Sequence, residues 1–116
     1  HWQILIKNYD AGYINYSNRK RDITIEQNKQ FAIDLLQTLQ LQSNKDNRTL
    51  IIVSLDGSTT FTSSYFRELD NVAEHIIHHA AIIKMAILSI DANFKIPDNF
   101  GYAPSTITYK EQACAQ

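Results

Sequence analysis

TLIIVSLDGSTTFTSSYF, residues 49–66, decides how the chain is read. Its first seven residues are almost continuously apolar, which suits a strand covered on both faces of an α/β sheet. Hydroxyls follow: Ser58, Thr59, Thr60, Thr62, Ser63 and Ser64. After them Phe66, Leu69, Val72, Ala73, Ile76 and Ile77 recur at helical spacing. The stretch therefore reads as a strand handing over to a helix. The hydroxyls are then capping residues, a phosphate cradle, a nucleophile or a modification site.

Outward from there, residues 3–9 and 12–16 look like two strands around the turn Asp10-Ala11-Gly12, a β-hairpin. Arg19-Lys20-Arg21 is a solvated basic loop. Thr24 and Gln27 have capping-box spacing, and Phe31, Ala32, Leu35, Leu36 and Leu39 continue a helix. Residues 43–48 form a polar loop. AIIKMAILSI, residues 81–90, reads as a second buried strand, and residues 91–104, which hold both prolines, as a loop. STITY, residues 105–109, is a short strand, and KEQACAQ begins a helix. The expected order is β-β-α-β-α-β-loop-β-α. That is a single α/β domain over residues 1–116, with a mixed, mostly parallel sheet, an N-terminal β-hairpin and helices packed on it. Residues 49–55 and 81–90 should be adjacent, parallel central strands.

Composition narrows the function. The chain has 116 residues, 44% of them hydrophobic, with a net charge of -1. It suits one small core and gives no electrostatic reason to expect nucleic acid. No apolar stretch is read as long enough to span a bilayer. The one cysteine permits no internal disulfide, which fits a cytoplasmic setting.

Catalytic signatures are weak. Gly57 has neither the companion glycines nor the lysine of a phosphate-binding loop. Ser63 and Ser64 lack the glycines of a nucleophile elbow. His75, His78 and His79 sit too far along the same helix to activate Ser63. His75 and His79 share a helix face, as two metal ligands would, but no third ligand is evident. They read instead as imidazoles near a helix C-terminus, favoured by its dipole. Tyr9, Tyr13 and Tyr16 read as strand residues. The expectation is no catalytic residue, no metal and no cofactor.

The segment Ser54–Phe66, SLDGSTTFTSSYF, resembles the "DLSGVTFIDSSGL" motif of anti-sigma-factor antagonists and the wider STAS superfamily. Leu55, Gly57, Thr59, Ser63 and Ser64 match it. Tyr13–Lys20 resembles the "xYxDYSxxK" opening of small bacterial STAS-like proteins, and Ile107–Ala113 resembles their closing "xFxTxEEA". Thr62 stands where the antagonists have aspartate, Tyr65 where they have glycine, and KIPDNFGYAP replaces a Gly-Leu-Lys-Lys helix. The resemblance implies a non-catalytic bacterial regulatory or protein-interaction module with a protein partner, of which a homodimer is one form. A carrier of small apolar ligands or lipids is the alternative. It also implies a phosphorylation or interaction corner at Ser58, Thr62, Ser63, Ser64 and Tyr65. Ser63 falls on the phosphorylated serine, expected at or beside the helix start with its hydroxyl near solvent.

Overall fold

The computed structural model describes residues 1–114 and is mixed α/β, a small three-stranded sheet with helices. The described residues gather into a first unit, His1–Asp70, and a second that begins at Asn71.

The chain opens with a helix, α1 (Trp2–Asn8), where the sequence suggested the first strand of a hairpin. Trp2, Leu5, Ile6 and Tyr9 stand at i, i+3, i+4 and i+7, a helical face. Leu5 and Ile6 are buried, and the Trp2 indole donates to Ser43 Oγ at 2.7 Å. Gly12 suits a hairpin turn and a helix end alike. At φ 68° its N–H bonds the Asn8 and Tyr9 carbonyls, both at 3.1 Å, so it closes a helix rather than turning a hairpin.

From Gly12 the chain enters β1 (Tyr13–Ile14) and then two helices, α2 (Ile23–Gln27) and α3 (Lys29–Gln42). The cap of α2 is Asp22, which accepts from the Thr24 N–H at 2.9 Å, rather than the Thr24–Gln27 pair. Asn28 ends α2 and caps α3, accepting from Phe31 N–H at 3.0 Å. This break divides what the spacing reads as one helix. Arg21 of the basic run pairs with Glu26 in solvent.

The strand β2 (Thr49–Val53) is central, but it is not covered on both faces as its continuous apolarity suggested: Leu50 and Ile52 are buried on one face, while Thr49 and Ile51 are exposed on the other. It pairs parallel with β1 and antiparallel with β3 (Thr60–Ser64). Pairing Ile14 with Ile52, Ile52 with Phe61, and Leu50 with Ser63 places these residues on one face. Ile14, Leu50 and Ile52 are buried there, and Leu5, Ile6 and Leu39 of the helices join them in the core.

The hydroxyl run is thus a β-hairpin before it is a helix start. Ser54 N–H bonds Thr59 O at 2.9 Å, and Gly57 turns the chain at φ 73°. Threonine is β-branched and packs well on a pleated surface, so TFTSS makes a strand as readily as a cap.

The largest departure is α4 (Tyr65–Ile90), one helix of 26 residues. Residues 81–90 belong to it, so they are neither a strand nor a parallel neighbour of β2. No glycine or proline occurs from Gly57 to Pro97. Nothing therefore stops the helix begun at Tyr65, and Ala, Lys, Met and Leu are good helix formers. The helix is long and apolar enough by composition to cross a membrane. Splitting it into helix plus strand concealed that length. None of the residues in its most apolar 18-residue window is buried.

In the second unit, residues 91–103 form the expected loop, and α5 (Pro104–Cys114) follows. STITY is helical because Pro104 opens a helix at its first position, with Ile107 N–H on Ala103 O at 3.1 Å. Gly101, at φ 74°, lies against α4, where an added Cβ would come within 2.8 Å of the Ala81 backbone. The tail of KEQACAQ, residues 115–116, lies outside the described residues.

Candidate functional site

The five residues of the expected corner do not converge. Ser58 lies in the hairpin turn, where its N–H and Oγ both donate to Asp56, at 3.1 and 2.8 Å. Ser54 Oγ donates to the same carboxylate at 2.6 Å. These donors, Ser54 first, hold the exposed Asp56 carboxyl down at about 2, from an ordinary 3.8.

Thr62 is exposed on β3. Tyr65 is fully buried, not part of a surface corner. Its ring meets Tyr9 edge to face at 4.9 Å, and its hydroxyl donates to the Ser43 carbonyl at 2.8 Å. Burial pushes its phenol pKa up. Ser64, rather than Ser63, faces the opening turn of α4, accepting from Arg67 N–H at 3.3 Å.

Ser63 corrects the expectation most. It is half-buried in β3, and its Oγ donates to Glu68 Oε1 at 2.7 Å. Glu68 is 5% exposed, and its other oxygen accepts from Tyr16 Oη at 2.8 Å. A buried carboxylate thus has a hydroxyl donor on each oxygen and lies in the first turn of α4, where the helix dipole favours negative charge. Burial first, then the hydrogen bond and charge of Glu68, push the Tyr16 phenol well above its ordinary value. The sequence reading named Tyr16 only as a strand residue and did not single out Glu68. A signal existed: Tyr65, Glu68 and Val72 are spaced i, i+3, i+7, so Glu68 falls on the apolar stripe of α4.

The second feature is the sheet edge. Among the described residues, the order β1-β2-β3 leaves β3 with one neighbour. The flanking bonds Ser54 N–H to Thr59 O and Tyr65 N–H to Arg48 O fix the phase of the ladder. Alternation then turns the backbone groups of Phe61 and Ser63 toward β2 and those of Thr60 and Thr62 outward. Phe61 is 52% exposed beside that edge.

His75, His78 and His79 lie in the body of α4, which runs on to Ile90, so the C-terminal dipole does not account for them. Among the described residues no group of three or more His, Cys, Asp or Glu gathers as a metal site. No protein-family model, no curated protein and no solved structure matches the chain.

Proposed function

We propose that this chain is a non-catalytic, cytoplasmic module of bacterial regulation, STAS-like in kind, that holds a protein partner by adding an extended segment to β3. The observation that carries the reading is the open edge of that strand. Thr60 and Thr62 point their N–H and C=O groups away from β2, and Thr60, Phe61 and Thr62 are all exposed. An incoming strand satisfies those groups, and the Phe61 ring gives it an apolar contact. The residue correspondence over Ser54–Phe66 supports the STAS-like reading, as does the buried strand that runs into it. The Ser63 hydroxyl donates to a carboxylate rather than to an imidazole, which suits a structural role better than a nucleophilic one.

Thr62→Pro tests this. Proline removes an N–H that faces away from β2, so the hairpin tolerates it, while an added strand loses a bond and meets the ring. Partner capture from the source cell should succeed with the parent chain and with Ser58→Ala, and fail with folded Thr62→Pro. Capture indifferent to Thr62→Pro would refute the edge. A large thermal shift with one lipid, and no captured protein, would favour the carrier reading instead.

A further inference from the structure

We infer that His75 and His79 form a two-point binding site for a borderline divalent cation of the Zn2+, Ni2+ and Cu2+ class. They stand four apart in α4, one turn above the other on the same face. Their rings meet edge to face, with centroids 4.5 Å apart, and their Nε2 atoms converge to 3.1 Å.

That separation is what one metal ion needs. With metal–nitrogen bonds of about 2.0–2.1 Å, cis ligands at right angles stand about 2.9 Å apart and tetrahedral ligands about 3.3 Å apart. The observed 3.1 Å lies between them, so both lone pairs can reach one ion with little movement of either ring. In the metal-free pair, one Nε2–H donates to the other Nε2. Metal binding needs both Nε2 lone pairs, so the donor ring moves its proton to Nδ1. His79 is exposed and His75 half-buried, so the ion has an approach. His78 touches His79 through its ring, centroids 5.7 Å apart, but lies three residues from His75 and outside the pair.

The chemistry sets selectivity. Two neutral imidazoles suit Cu2+, Ni2+ and Zn2+ and give Mg2+ or Ca2+ no advantage. With two protein donors and water elsewhere, affinity is micromolar rather than the tighter range of a closed structural site. Cu2+ should bind before Ni2+ and Zn2+.

The test is calorimetric titration of the untagged full chain with ZnCl2, NiCl2 and CuCl2. It uses a His1→Ala background, so that no imidazole outside α4 competes. One ion should bind per chain. His75→Ala and His79→Ala should each weaken binding by at least about tenfold, since each removes half of the chelate. His78→Ala should bind as the parent does. Alanine favours helix, so circular dichroism should report intact helix in all three variants. The nitrogen couplings in the electron paramagnetic resonance of the Cu2+ form should fall from two imidazoles to one in either variant. No saturable binding, binding that survives both His75→Ala and His79→Ala, or binding lost equally in His78→Ala would each overturn the proposal.

Discussion

Ser63→Asp places a second carboxyl beside Glu68 where a hydroxyl donor stood at 2.7 Å. Two carboxylates about 4 Å apart repel by about 4 kcal/mol at an effective dielectric constant of about 20. The lost bond to a charged acceptor adds about 1.5–3 kcal/mol. Protonation limits the total. Keeping one carboxyl neutral at pH 7, about three units above its ordinary value, costs about 4 kcal/mol, and the acid can then donate to its neighbour. The expected loss at pH 7 is therefore about 3–4 kcal/mol, a large share of a small domain's stability. The carboxyl pair is harder to ionise folded than unfolded. The penalty is therefore absent below the ordinary carboxylate range, and it grows as pH rises toward the raised folded value. Urea unfolding at pH 7 and at pH 4.5 reads this directly. Ser63→Asp should recover most of the lost stability at the lower pH. Ser63→Ala, which adds no charge, should change much less between them. A Ser63→Asp chain within about 1 kcal/mol of the parent at pH 7 would refute the contact. Ser63 would then be an open helix cap able to carry a phosphate. If the contact holds, a phosphate there, at about -1.5 to -2 charge, disrupts the start of α4 instead of resting on it.

Tyr16→Phe removes the other donor to Glu68 and should cost about 1.5–3 kcal/mol in urea unfolding at pH 7, whereas an effect under about 0.5 kcal/mol would leave Glu68 served by other groups. Gly101→Ala should lower the thermal stability of the second unit by about 1–3 kcal/mol, through its φ and its approach to Ala81. Gly57→Ala meets no neighbour and should cost only about 1 kcal/mol, so equal effects would contradict the packing at Gly101. In an NMR titration Asp56 should protonate near 2 rather than 3.8. Its contribution to the hairpin is then full above its ordinary value and lost as pH falls through the lower one, and a midpoint near 3.8 would show the turn unbonded.

The central strand was legible because TLIIV is apolar, β-branched and bounded by polar loops. So were α3 and the start of α4, whose apolar residues keep helical spacing. The errors share one physical origin: local patterns that two structures satisfy equally. Gly12 at positive φ serves a hairpin turn or a helix end, and the i, i+3, i+4, i+7 spacing of Trp2, Leu5, Ile6 and Tyr9 was the signal that separates them. AIIKMAILSI is apolar enough for a buried strand, but without a glycine or proline before it the helix has no reason to end. Thr60–Ser64 offers hydroxyls for capping and β-branched carbons for a strand, and the pairing partner that decides, β2, comes from tertiary structure. The site was harder still. Glu68 gains its meaning from Tyr16, 52 positions away, and no local spacing joins them.

Residue-resolved amide hydrogen exchange of the free chain tests the open edge on which the functional reading rests. The N–H groups of Phe61 and Ser63, aimed at β2, should exchange slowly, and those of Thr60 and Thr62 fast. A bound partner should slow the outward groups of β3, those of Thr60 and Thr62 and of Ser64 where the added strand reaches it, and leave Phe61 and Ser63 as they were. Uniform protection along Thr60–Ser64 in the free chain would mean that the edge is already covered. Uniformly fast exchange would mean that β3 is not a strand. Either result would contradict the account.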